Sequence, residues 1–300
     1  MKQTPEEGNA LHIPVLLAEV VDWLRPVSKG VYVDGTLGLG GHTRALLEES
    51  APDGQVLGFE WDEEAAAKAK ISLSRYGDRL RIIPTSYASL LSELAKLGVV
   101  RIDGLLVDLG VSSLQLDQEE RGFSFRTDNA LDMRMDQRTP VSAADLVARL
   151  SEEQLADILY YYGEERQARR IARFLVKARE EEPVVTTGRL AAVVAAAVPA
   201  KYHPPRLHVA TRTFQALRIA VNGELDNLMQ VLTDAPKVLA PGARICVITF
   251  HSLEDRMVKQ AFRDNPAYTV LTRGPIEPTR AEVTRNPRAR SAKLRVAARD

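Results

Sequence analysis

Over its first two-fifths the chain alternates short apolar runs with helical patterns. Val31-Tyr32-Val33-Asp34 is a compact β-rich run, followed by a glycine-rich turn and a helical pattern from His42 to about Ser50. Gln55 to Glu60 reads as a second strand, and Asp62 to Tyr76 as an alanine- and lysine-rich helix with Asp62 at its N-cap. Leu80 to Ile83 forms a third strand, Tyr87 to Leu97 a helix stopped by Gly98, and Asp103 to Asp108 a fourth strand. Strands that are apolar on both faces and joined by helices predict a parallel sheet.

The alternation then breaks. Residues 109 to 140 carry glycine and charge without a clear period, as a long functional loop or a linker does. From Val141 to about Val198 the signals are helical, with starts at Ser142, Ser151 and Thr186 or Thr187, and no strand is expected there. A helix is expected from Asn222 to Leu239, then a turn at Pro241-Gly242, a strand from Arg244 to Phe250 and a helix from Leu253 to about Phe262. Tyr268 to Thr272 and Lys293 to Ala297 close the chain as a strand pair. The pattern predicts one α/β domain interrupted by a helical insertion from about 115 to 215.

The chemistry begins in the first turn. Asp34-Gly35-Thr36-Leu37-Gly38-Leu39-Gly40-Gly41-His42 joins the first strand to its helix, where glycines let backbone amides approach a ligand. A dinucleotide fingerprint needs a third glycine where Thr43 stands. An acidic residue, three others and then Gly-x-Gly, the form of S-adenosylmethionine enzymes, is met from Asp34 through Gly40. A tight turn without a ligand is the alternative. Glu60, at the end of the second strand, is placed to accept hydrogen bonds from the two ribose hydroxyls of an adenosine. Tyr87, after the third, either packs on adenine or closes the edge of the core. Asp108 ends the fourth strand at the carboxyl edge, where ligands of open α/β sheets bind. Acidic residues at three strand tips favour S-adenosylmethionine.

The sequence also narrows the acceptor atom. Methylation at C5 of a pyrimidine usually needs a cysteine nucleophile. The single cysteine, Cys246, sits in the apolar run Ile245-Cys246-Val247-Ile248 and reads as a small buried hydrophobe. An exocyclic amine needs instead acceptors that localise its lone pair, and Asp108 with Gly110-Val111-Ser112-Ser113 supplies polar groups for that. The Asn/Asp-Pro-Pro-aromatic signature of many amino-methyltransferases is absent.

Blocks along nearly the whole chain resemble the MraW (RsmH) family of bacterial small-subunit ribosomal-RNA methyltransferases, which act on cytosine N4. They include His12 with Pro14 to Leu17, Asp34-Gly35-Thr36 with Gly40-Gly41-His42, and Leu106 to Ser113. Further blocks are Arg121 to Phe125, Leu131 to Asp136, Tyr162 to Arg166, Ala210 to Ile219, Phe250 to Arg256 and Asn286 to Ser291. The resemblance implies a class I (Rossmann-like) methyltransferase sheet, mostly parallel, over 1–114 and 216–300, with an all-helical substrate-recognition domain at 115–215. It implies cofactor contacts at Gly40, Gly41, His42, Glu60, Tyr87, Asp108 and Gln115, beside Asp34 and Gly38 from the turn. It also implies a target cytidine in the decoding region of 16S rRNA. Glu60 and Tyr87 stand where the family often has aspartate and phenylalanine, and Val209 after His208 where it commonly has proline.

Charge and composition set the remaining expectations. The 300 residues carry no formal net charge, so attraction to RNA must come from local clusters. Arg166, Arg169, Arg170, Arg173 and Lys177 recur at helical spacing, either as an RNA-facing surface or as a solvated face beside Glu164 and Glu165. Arg212 is a further candidate. Arg273, Arg280, Arg285, Arg288, Arg290 and Lys293 are opposed only by Glu277 and Glu282, which favours RNA contact in the carboxyl-terminal loop. Phe123 and Phe125 either stack a displaced base or lie buried under the insertion. His251 either faces the target base, as a catalytic candidate beside Asp108, Ser112 and Ser113, or caps the following helix. No metal site is expected at His203 and His208, which lack a carboxylate or cysteine partner. The longest apolar run, Leu190 to Ala200, is too short to span a bilayer and the amino terminus lacks a signal peptide's apolar stretch, so a cytoplasmic protein without a membrane partner is expected. The partner is then 16S rRNA or the small ribosomal subunit, with a homodimer left open. A catalytically dead ribosome-assembly factor, or a DNA or small-molecule methyltransferase on the same fold, are the alternatives.

Overall fold

The computed structural model describes residues 13–205 and 207–300; His12 and the polar start from Met1 to Pro5 lie outside them. The chain opens with α1 (Leu17–Leu24), β1 (Val31–Asp34), α2 (Gly41–Glu49), β2 (Gln55–Phe59), α3 (Glu63–Ser72), β3 (Leu80–Ile83), α4 (Leu90–Lys96) and β4 (Ile102–Asp108). After α5 (Ser113–Asp117) come α6 (Ala143–Arg149), α7 (Glu152–Tyr161), α8 (Ala168–Glu181), α9 (Thr187–Ala197), α10 (Thr211–Asn222) and α11 (Glu224–Val238). It closes with β5 (Leu239–Thr249), α12 (Ser252–Asp264), β6 (Tyr268–Val270), α13 (Arg280–Arg285) and β7 (Lys293–Arg299).

The seven strands form one sheet in the order β3-β2-β1-β4-β5-β7-β6. β1, β2, β3, β4 and β5 pair in parallel, and β7 runs antiparallel to both β5 and β6. This is the α/β, mostly parallel, Rossmann-like class the sequence predicts. The chain winds from β1 out through β2 to β3 and returns to β4 on the other side of β1. That reversal splays the two loops leaving the carboxyl ends of β1 and β4, and the crevice between them is where open α/β sheets bind ligands.

Two large apolar cores cover the sheet faces, one against α4, α11 and α12 and the other against α1, α2 and the carboxyl-terminal segment. A separate helical core runs from Leu131 to Leu217 and joins α6, α7, α8, α9 and the first part of α10. Ser142, Ser151 and Thr186 are N-caps, as read from sequence: each hydroxyl accepts a backbone N–H three residues on. The expected helix from Asn222 to Leu239 is observed as α11, and Gly223, left-handed at φ +59°, separates it from the preceding α10. α10 itself was not anticipated. β5 starts five residues earlier than expected, and an isolated bridge pairs Ala130 with Thr186 within the helical region. Among the described residues no helix is long and apolar enough to cross a membrane.

Candidate active site

A cavity of about 1180 Å³ opens above the carboxyl ends of β1, β2 and β4. Its floor is the turn after β1, and hydrogen bonds on both sides hold that turn in place. Gly35 N donates to Leu106 O (2.8 Å) and Leu37 N to Phe59 O (2.9 Å), tying it to the strands on either side. Asp34 is buried beneath the turn, accepting from Thr36 N (3.1 Å) and Thr43 Oγ1 (2.7 Å), and burial raises its carboxyl above the ordinary range. It does not line the cavity. Thr36 Oγ1 in turn accepts Asp108 N at 2.7 Å, so one threonine joins the tips of β1 and β4.

The glycines divide by role. Gly38, at φ +52°, lines the cavity, and a Cβ there would meet nothing nearer than Thr36 O at 3.9 Å. A Cβ on Gly40 would strike Leu73 Cδ1 at 2.4 Å, and one on Gly41 would strike Pro14 Cγ at 2.3 Å. Packing thus requires both: Gly40 and Leu73 lie off the cavity, whereas Gly41 and Pro14 line it. That distinction is invisible in a Gly-rich motif.

Glu60 reaches back from the tip of β2 and accepts Gly38 N (2.8 Å) and Asp62 N (2.9 Å). It is 8% exposed, and burial pushes its carboxyl up to about 7 despite these two donors. Tyr87 belongs to the core, as one of its two readings has it, and also lines the cavity. Burial raises its phenol above the ordinary value. Beside it, Asp108 and His42 face each other with Nε2 and Oδ2 3.6 Å apart, too far for a hydrogen bond. Both His42 ring nitrogens and Asp108 Oδ1 are buried without a partner among the described residues. Buried polar atoms normally carry a hydrogen bond, so three orphans converging on one cavity mark a place that a ligand completes.

The loop after β4 forms the next wall. Ser112 caps α5, and Ser112, Ser113 and Gln115 all line the cavity. Gln115 bridges two elements: its Oε1 accepts Ser112 N (3.0 Å) and its Nε2 donates to Asp62 Oδ2 (3.0 Å). The same Asp62 oxygen lies 2.9 Å from Arg121 Nη1, and Arg121 Nη2 holds the carbonyls of Arg134 and Met135. This buried cluster fastens the long loop to the tip of β2. From sequence its members read only as an N-cap (Asp62), a motif residue (Arg121) and a cofactor contact implied by the family resemblance (Gln115).

Arg218 and Glu224 were missed as site residues. They line the cavity as a bidentate pair, Nε to Oε1 and Nη2 to Oε2 both at 2.8 Å. The facing Glu224 carboxylate outweighs burial and raises the Arg218 guanidinium above its ordinary value. Six residues apart across the Gly223 break, they follow no helical spacing, and no sequence signal joins them. Phe250 lines the cavity, but His251 does not: its Nδ1 accepts Glu254 N (3.3 Å) and caps α12, the second of its two readings. Phe125 packs on Phe214 and His208, with ring centres 4.7 Å apart in each case, and Phe123 packs on the same helical core; both are half-buried there. Cys246 is fully buried and burial raises its thiol.

The basic candidates are dispersed. Arg288 is exposed at the mouth and pairs with Asp117 at 2.5 Å, while Arg290 is exposed nearby. The carboxyl-terminal segment is pinned to the amino-terminal one by Leu16 N to Glu282 Oε1 (2.7 Å) and Asn286 Nδ2 to Ile13 O (2.9 Å). On the helical unit Arg166 is exposed, Arg212 donates to Glu164 O (3.1 Å), Arg170 donates to Ala197 O, and Arg173 lies 3.7 Å from Glu152. Glu164 also accepts from Ser252 and Arg256, which latches the helical unit to α12.

The sequence pattern of the MraW methylase family matches residues 9–300. The chain belongs to that family. Family relatives include the ribosomal RNA small subunit methyltransferase H of Desulfotalea psychrophila, 53% identical over 97% of this chain and 99% of that protein. Those of Geotalea uraniireducens and Cyanothece sp. are 50% and 51% identical, covering 95% and 98% of this chain and 97% and 96% of theirs. Among solved structures, an rRNA methylase from Streptococcus thermophilus superposes with a TM-score of 0.46 at 11% identity, over 96% of this chain and 98% of that one.

Proposed function

We propose that this member of the MraW methylase family transfers a methyl group from S-adenosylmethionine to N4 of a cytidine in the decoding region of 16S rRNA. The observation that carries the reading is the convergence of unpartnered His42 and Asp108 atoms on a cavity at the strand-order reversal. The names of relatives about half identical over almost their whole length supply the substrate class.

The residues fit the cofactor. Glu60 accepts the ribose hydroxyls, Gly38 leaves room beside it, Tyr87 packs on the adenine, and His42 and Gln115 complete the polar wall, with Gly40, Gly41 and Asp34 shaping the turn beneath. When bound, S-adenosylmethionine supplies a methyl group on a positively charged sulfur. Asp108 Oδ1 accepts a hydrogen bond from the target amine, drawing its lone pair out of the ring, and takes the proton that the amine sheds. Ser112 and Ser113 offer hydroxyls to the same base. The helical unit over 115–215 recognises the RNA, with Arg166 and Arg212 on it and Arg288 and Arg290 on the carboxyl-terminal loop meeting phosphates; Arg212 and Arg288 give up Glu164 O and Asp117 to do so, and Arg170 and Arg173 serve partly as struts. Lifting the base out of its stack costs a few kcal/mol, less where the RNA is already open.

The test is tritiated methyl transfer to assembled small subunits, naked 16S rRNA and DNA, with calorimetry of cofactor uptake alongside. Transfer to cytidine N4 of the RNA, abolished in Asp108→Ala with cofactor binding retained, is the expected result. Cofactor binding without transfer would point to an assembly factor, and transfer to DNA alone to a different substrate.

A further inference from the structure

α12 leaves the site at Phe250, which lines the cavity, and runs away from it. At 100° per residue, Arg256, Lys259 and Arg263 fall within a sector of about 60° on that helix and span about 10 Å along it. All three are exposed, and Arg256, nearest the site, is held by Glu164 at 2.8 Å, which leaves Lys259 and Arg263 as the cations open to a ligand. Beside them a second cavity of about 150 Å³ lies between α12 and the β6 edge, lined by Lys259, Arg263, Arg273 and Arg295 over an apolar floor of Phe262 and Val270. No carboxylate lines it. Arg295 is buried and held by Asp255, with Nε at 2.6 Å and Nη2 at 3.1 Å, so its charge is fixed in place. Lys259 and Arg273 have no hydrogen-bond or ion-pair partner among the described residues, and Arg263 pairs only with exposed Asp264. Exposed pairs of that kind yield readily to a stronger anion.

From this we infer that the stripe on α12 and its cleft hold the phosphate backbone of the single RNA strand flanking the target nucleotide. The inference rests on the RNA substrate proposed above and extends it to a surface outside the carboxyl-terminal loop and the helical unit. Its force comes from continuity: the stripe lies on the helix that follows Phe250, which lines the cavity, so it offers a path along the surface to a strand with one nucleotide in the cavity. The apolar floor between the cations suits a sugar face between phosphates. Guarding the β6 edge against strand pairing is a competing use for such charges. Glutamate guards an edge equally well, so charge reversal separates the two.

The experiment compares the wild type with the triple variant Lys259→Glu, Arg263→Glu, Arg273→Glu. A triple of the same charge change away from the stripe, Lys70→Glu on α3, Arg81→Glu on β3 and Lys96→Glu on α4, controls for net charge. Filter binding of a 16S rRNA fragment across a salt series, KM and kcat for methyl transfer, and calorimetric cofactor affinity are measured on each. Each single-strand phosphate contact contributes about 0.7 to the slope of log affinity against log salt. The stripe variant is therefore expected to lose about 2 units of slope and to raise KM at least ten-fold, with cofactor affinity and kcat as in the wild type. If its slope and KM move no further than those of the control triple, the inference is overturned while the functional reading stands. If the wild type takes up cofactor but neither binds nor methylates the RNA, both fall.

Discussion

Glu60 makes cofactor affinity depend on pH. Its carboxyl, buried at the tip of β2, is pushed up to about 7 from an ordinary value of 4.5. Near neutrality the free protein therefore holds it close to half protonated. Ribose hydroxyls donating to it favour the anion, so uptake of the nucleoside releases a proton wherever the free carboxyl still carries one. If the bound carboxyl returns to its ordinary value, the difference is about 2.5 units, roughly 3 kcal/mol at most. Affinity should then fall as pH drops through 7, by about twenty-fold between pH 7.5 and 5.5, and level off above pH 8. In Glu60→Gln the dependence should vanish, with affinity at pH 8 lower by about ten-fold or more through loss of a charge-assisted hydrogen bond. Titration calorimetry of the demethylated product, in buffers of different ionisation enthalpy, reads both affinity and proton release. A flat profile in the wild type, or an unchanged slope in Glu60→Gln, refutes the argument. The same shift has a sign for the free protein. Between 4.5 and 7 the folded state binds the extra proton, so Glu60's contribution to folding stability is lost as pH rises through that window.

Further outcomes follow from the packing. Arg121→Met leaves Asp62 buried with only Gln115 and its helix amides, and should cost about 3 kcal/mol, seen as a melting temperature several degrees lower; an unchanged melt would mean the cluster is not structural. Gly40→Ala, forced to φ +82° and against Leu73, should lose about 1–3 kcal/mol of stability. Gly38→Ala should melt closer to the wild type yet bind cofactor worse, because its methyl enters the cavity, and equal effects on both measurements in both variants would contradict the division drawn here. Cys246→Ala should keep kcat within about two-fold, since a buried thiol raised above its ordinary value is no nucleophile, and complete inactivation of a folded variant would restore the cysteine mechanism.

Much of the fold was legible because its signals are local. Strand tips ending in Asp34, Glu60 and Asp108, the Gly38 turn and the caps Ser142, Ser151 and Thr186 each depend on a few neighbouring residues. The parallel sheet followed from apolar runs joined by helices, and the cavity's position followed from the sheet. α10 was missed because Ala210 stands at its N-cap and supplies no side-chain cap, so no start signal marks its head.

The primary structure by itself determined the class of the sheet, the family and which strand tips carry acid, since periodicity and capping are properties of adjacent residues. Only the tertiary structure decided which side chains meet. It alone joins Arg218 to Glu224 across a helix break, brings Arg121 onto Asp62 from 59 positions away, leaves the His42 ring nitrogens and Asp108 Oδ1 without partners among the described residues, and makes His251 a cap. Contacts of that kind come from chain reversals whose partners share no spacing, so no local pattern encodes them.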